Sequence, residues 1–159
     1  MKSKYIILII IIIVIGGIFM FKNKKEITIS NIKYFHFSYS VGYAMNAYVI
    51  YELNYKDDKY IISIKPNGIS DEEKKEVEVD NSFIQKLEEI LKKYHVEKWN
   101  GFNKHDKNVL DGDSVSLNIR MENNDYLSAS GYMKWPNNYG NVRGELDTIF
   151  MNIYNQNKL

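Results

Sequence analysis

Residues Tyr5 to Phe21 form an unbroken apolar run of 17 residues, with Lys2 and Lys4 before it and Lys22, Lys24 and Lys25 after it. No other feature limits the fold as much. A segment that is apolar on every side has no polar face to turn to water, so it belongs in lipid rather than against a small soluble core. As a helix it reaches about 26 Å at about 1.5 Å per residue. A bilayer core is about 30 Å thick, and spans begin near about 17 residues, so the run suffices if the flanking lysines extend toward the headgroups. In lipid a helix is also the only way one segment can satisfy its own backbone.

We therefore expect residues 1–25 to be a signal anchor, a single transmembrane helix, and residues 26–159 to form one domain outside the cell membrane. A cleaved signal peptide is the rival. Val14-Ile15-Gly16 loosely fits a small-x-small cleavage site, but the apolar run continues through Ile18-Phe19-Met20-Phe21, where a signal peptide turns polar. Lysines on both flanks give no clean positive-inside asymmetry. The short N-terminal tail favours an inside N-terminus and an extracytoplasmic C-terminal domain.

Composition narrows the function of that domain. Five of the 21 basic residues lie in residues 1–25, so 16 remain against 20 acidic residues, a net charge of −4. Nucleic acid is a poor partner for such a surface. The chain has no cysteine, which excludes disulfides, thiolate metal sites, a Cys nucleophile and lipid attachment at Cys. No cofactor is expected.

Beyond the anchor the hydrophobic periodicity alternates between two and 3.6 residues. Ile32–Ser40, Asn46–Tyr55 and Tyr60–Pro66 read as strands, and Lys75–Val79 as a short edge strand. A two-residue turn at Asp57-Asp58 pairs Tyr55 with Tyr60, Leu53 with Ile62 and Tyr51 with Ile64, which puts both apolar rows on one face. Asp80–Tyr94 reads as a helix with Asp80 as N-cap and a stripe of Phe83, Ile84, Leu87, Ile90, Leu91 and Tyr94. Ser114–Met121 and Tyr126–Met133 form a second hairpin. A turn at Asn123-Asn124-Asp125 pairs residue 121 with 127, 119 with 129 and 117 with 131. Asn141–Asn155 is a last helix. The fold class is α+β: an antiparallel meander sheet with two helices packed on one face.

Chemistry is sparse. Val96–Asp113 is a long connection, and such segments are often functional. It carries Trp99, Asn100, Phe102, His105, Asp106, Asp111 and Asp113. A second loop holds Trp135, Pro136, Asn137, Asn138 and Tyr139. The hairpin between them brings both segments to one end of the sheet. Trp99, Asn100, Phe102, Asp111, Trp135, Asn137, Asn138 and Tyr139 are therefore the candidate interaction surface, mixing stacking faces and amides suited to an envelope protein or a glycan. The bland alternative is that Trp99 and Phe102 plug the core and that Asp111-Gly112 is only a turn.

Other sites fail on spacing. A calcium loop with Gly112 in sixth place would need a carboxylate where Val109 stands. His36, His95 and His105 have no metal-ligand spacing, and His36 reads as a surface or half-buried strand residue. His105-Asp106 with Ser114 lacks a nucleophile-elbow sequence. The expected function is a membrane-anchored, noncatalytic interaction domain. An envelope hydrolase using Asp106, Asp111 or Asp113 with His105, and an immunity- or inhibitor-type protein, are the alternatives.

Trp99-Asn-Gly-Phe102, Asp111-Gly-Asp-Ser114, Leu117, Gly131 and Pro136-Asn-Asn-Tyr139, in that order, resemble the pattern of envelope-anchored bacterial proteins without an established activity, many of them lipoproteins. The resemblance covers Ile32 to Tyr154 and implies an extracytoplasmic domain. It carries no catalytic or binding role to any residue. This chain lacks the lipid-accepting cysteine of the lipoprotein members, so its anchor would be the helix.

Overall fold

The computed structural model describes residues 27–40 and 47–156. The Tyr5–Phe21 run expected in the membrane lies outside the described residues. Among those described, no helix is long and apolar enough to cross a membrane.

The domain is α+β. Its strands are β1 (Ile32–Ser40), β2 (Tyr48–Lys56), β3 (Lys59–Lys65), β4 (Lys75–Val79), β5 (Asn103–His105), β6 (Ser114–Met121) and β7 (Tyr126–Tyr132). Its helices are α1 (Asn81–Lys93) and α2 (Tyr139–Gln156). The seven strands form one sheet in the order β4-β3-β2-β1-β6-β7-β5. A meander is thus only half the description. β4 to β1 run as consecutive antiparallel neighbours, the β6–β7 hairpin joins them through β1, and β5 adds a parallel strand at the edge of β7. The sheet is mixed because the chain enters β5 from α1, alongside β7 rather than from a hairpin.

The first hairpin has the expected register, with Tyr55 opposite Tyr60, Leu53 opposite Ile62 and Tyr51 opposite Ile64. The second differs by two residues: Ile119 pairs with Leu127 and Leu117 with Ala129. A shift of two keeps every side chain on its face. The change comes from a three-residue turn placed one residue earlier, at 122–124, in which the Met121 N–H donates to Asp125 O at 3.0 Å and Asn124 takes a left-handed φ of 62°. Met121 then pairs with Ile32.

One face of the sheet is apolar. Phe35, Phe37, Tyr51, Leu53, Ile62, Ile64, Leu117, Ile119 and Leu127 are all buried there, and both helices complete the same core. Phe150 of α2 stacks on Tyr51 and on Phe35, with centroids at 4.5 and 6.0 Å, and meets Phe83 of α1 edge-on. The Asp80 carboxylate caps α1 by accepting from the Ser82 N–H at 2.9 Å and the Phe83 N–H at 3.3 Å, which satisfies two orphan donors. Tyr39 and Tyr51 donate to one Asp147 carboxylate oxygen at 2.7 and 2.8 Å, which ties α2 to the centre of the sheet.

Candidate functional site

The long connection after α1 is built rather than loose. His95 adopts a left-handed φ of 56°, which turns the chain out of α1 and into a short 3₁₀ turn, Val96–Trp99. Gly101, at φ 77°, supplies a second reversal that a side chain would resist. The Gly101 N–H then donates to Ser128 O at 2.9 Å and Phe102 O accepts from the Ser130 N–H at 2.8 Å, so the segment lies along the free edge of β7. Asn100 serves this docking: its side-chain oxygen accepts the Ser128 N–H at 3.2 Å. Its side chain clamps the segment to β7.

The chain leaving β7 folds back over the same corner. Gly131 makes this possible, because a Cβ there would run into the Lys134 carbonyl oxygen. Trp99 is 3 % exposed, and its indole N–H donates to Asn137 O at 2.9 Å. The two segments named from the sequence therefore do meet, but as a strap along the sheet edge and a returning loop, not as two end loops. Trp99 does the structural work of the bland alternative.

Between them lies a groove of ≈ 340 Å³ lined by Tyr94, His95, Lys98, Trp99, Phe102, Lys104, Trp135, Pro136, Asn137 and Asn138. Its volume falls in the range of small-ligand sites, about 300–1,000 Å³. Trp135 is 38 % exposed and stacks on Tyr139 at 4.8 Å with an interplanar angle of 11°. A ring held rigid from behind presents its other face at low entropic cost. Lys104 sits 5.4 Å from the Phe102 centroid, and Lys98 is exposed beside it. The lining holds two lysines and no carboxylate, so its charge is opposite to the net charge of the domain.

Five of the eight expected site residues line this groove: Trp99, Phe102, Trp135, Asn137 and Asn138. Tyr139 backs it. Asn138 has a left-handed φ of 64°, accepts the Val142 N–H that opens α2 and donates to Tyr94 O at 3.4 Å, so it shapes the loop as much as the groove. Asp111 is exposed and lies outside the lining. His95, Lys98 and Lys104 were missed by the sequence reading. Only the strap geometry brings them beside Trp135.

Two acid–base constellations can be judged on geometry. His105 is exposed and stacked on Tyr132, with centroids at 4.6 Å. The Asn108 backbone N–H and then the Lys134 ammonium hold the Asp106 carboxyl below the usual carboxylate range. That shift suits an ion pair and is the wrong direction for a general acid. The second constellation is one that the sequence did not announce. On the open face of the sheet His36 Nε2 lies 3.1 Å from Ser38 Oγ, and His36 Nδ1 lies 3.1 Å from Glu52 Oε1. The connectivity is that of a hydrolase relay. However, β1 is hydrogen-bonded on both edges, to β2 and to β6, so its backbone donors are consumed by the ladders. An oxyanion needs converging free donors, and Asn118 opposite His36 already bonds Ser116, Tyr126 and Ser128. Among the described residues no group of His, Asp and Glu is placed to hold a metal ion.

A second cleft, of ≈ 730 Å³, opens at the far end by the β2–β3 turn. Its Lys33 ammonium is already engaged, 3.6 Å from the Tyr55 centroid and 3.4 Å from the Tyr60 hydroxyl, and its rim mixes charges of both signs. No protein-family model matches this sequence, and no curated protein matches it either.

Proposed function

We propose that this protein is a membrane-tethered, noncatalytic binding domain facing the cell exterior, and that its ligand is an anionic glycan of the envelope seated in the aromatic groove. The observation that carries the reading is the convergence of Trp99 and Phe102 with Trp135, from a separate segment, on one groove with a cationic rim. A sugar ring can stack on the free face of Trp135. Lys98 and Lys104 can pair with its carboxylates, and the Asn137 amide can bond its hydroxyls.

The chain has two tryptophans, and both line the groove, so its whole indole fluorescence reports on the site. Titration of the full chain in detergent with oligogalacturonate should change that emission saturably. A neutral cello-oligosaccharide should not. Trp135→Ala and Lys104→Ala should each weaken binding at least tenfold while thermal melting stays within a few degrees. Equal binding of neutral and acidic sugars, or none of either, would overturn the glycan assignment.

A further inference from the structure

The sheet has two edges, and the chain covers one of them. On the β7 side the strap lies along the edge as β5. On the other side β4 (Lys75–Val79) pairs with β3 residue by residue, and among the described residues no strand lies along its outer side. Half of the backbone N–H and C=O groups of an edge strand point away from the sheet, which makes the edge a template for one more strand.

β4 has two unlike faces. Val77 and Val79 are half-buried and packed against the core, whereas Glu76 and Glu78 alternate with them and are exposed. Beside the valines a groove of ≈ 410 Å³ opens where β4 meets the start of α1 and the end of α2. Phe83 and Ile153, both half-buried, complete its apolar wall, and the exposed Lys86 and Gln156 stand at its rim. The glutamates lie in an acidic stretch: residues 71–80 hold six acidic and two basic residues, a net charge of −4. Lys59 reaches Glu78 at 2.8 Å and Lys74 reaches Glu76 at 3.7 Å. Both pairs are exposed, and pairs of that kind hold weakly.

These faces select what can add to the edge. A second copy pairing antiparallel about Val77 would set Glu76 opposite Glu78 twice, and like charges directly opposite repel. A strand with Lys or Arg at every other position and apolar residues between them meets complementary partners on both faces. We propose that β4 is the docking edge for an extended, alternating basic–apolar segment of another protein. That segment adds as an eighth strand to the seven, with its apolar side chains in the groove and its cations over Glu76 and Glu78. The site is separate from the aromatic groove, which lies by the opposite edge.

Hydrogen exchange on the full chain in detergent, read by mass spectrometry, tests this with three blocked peptides. One has three Lys-Val repeats. The second has the same composition with lysines and valines in separate blocks, and the third has three Glu-Val repeats. The alternating basic peptide should slow exchange across Lys75–Val79 roughly tenfold or more, and the other two should leave it unchanged. Glu76→Lys combined with Glu78→Lys should invert the preference, so that the acidic repeat protects the strand and the basic one does not. Equal protection by the blocked-sequence peptide would reduce the effect to charge attraction and overturn the proposal. Protection elsewhere or nowhere, or a double variant that still prefers the basic repeat, overturns it as well. Exchange that slows across β4 as protein concentration rises, without peptide, would give the edge to a second copy and also overturn it. The comparison on the unaltered chain decides alone should the double variant not fold.

Discussion

At the scale of single residues, the two tryptophans divide the labour. Trp99 is a buried brace whose N–H holds the returning loop, and Trp135 is a presented face. Trp99→Ala should cost about 3–5 kcal/mol through the cavity it leaves and lower the urea midpoint sharply, whereas Trp135→Ala should leave that midpoint nearly unchanged. If the two variants melt alike, the division is wrong. Gly131 is under a similar constraint. Gly131→Ala must push the Lys134 carbonyl away, and overpacking of this kind costs about 1–3 kcal/mol, readable in the same denaturation assay.

Asp147 is a third instance. Burial, and then the hydrogen bond to this carboxylate, push the Tyr39 phenol up to about 12, and Tyr51 is raised by burial and by the same negative charge. An unperturbed tyrosine ionises near pH 10, at about 10. A folded-state value above that contributes stability fully present below the unfolded pKa and lost as pH rises through the folded one. Ultraviolet titration should therefore show exposed tyrosines ionising first and a late group appearing only with loss of circular dichroism, toward pH 12. Tyr39→Phe should make the alkaline unfolding shallower. A late group that titrates while the fold persists would remove this assignment.

Elements were legible where periodicity and caps agree. The bounds of β1 and β6, the Asp80 cap and the Asp57-Asp58 register follow from alternation and turn chemistry alone. β5 was not legible, because Asn103-Lys104-His105 has no alternating apolar row and pairs only because the strap lies against β7. The order of strands across β1 and β6 was hidden for a related reason. Both are strongly apolar on one face, and nothing local says which edge of which strand joins them. The same limit applied to the site. The aromatics could be found by type, but the neighbouring lysines owe their place to the path of the strap. For α1 the reading is firm enough to break. Leu87 is fully buried on its stripe, and Leu87→Asp places an uncompensated carboxylate there, at a cost of several kcal/mol. Loss of cooperative melting is the expected outcome, and an unchanged melting curve would reject the packing of α1.

At the scale of the whole molecule, the core draws on both helices and on six of the seven strands. It holds no disulfide, since the chain has no cysteine. Residues 26–159 expressed without the apolar run should give a monomeric protein with one cooperative thermal transition, checked by calorimetry and light scattering. Aggregation or a non-cooperative melt would show that residues 1–25 contribute to the fold.

The central position of β1 has a consequence for how such a chain assembles. One edge of β1 is filled by β2, its neighbour in sequence. The other waits for β6, where Phe37 meets Leu117, 80 residues downstream. Pairings this distant form late, since loop closure must come before any contact repays it. A chain synthesised from its N-terminus displays the bare edge of β1 until the last third has emerged. An unpaired edge of that kind invites pairing with another chain. Protection of that edge during synthesis, by speed or by a chaperone, is then a condition of this topology rather than a refinement of it.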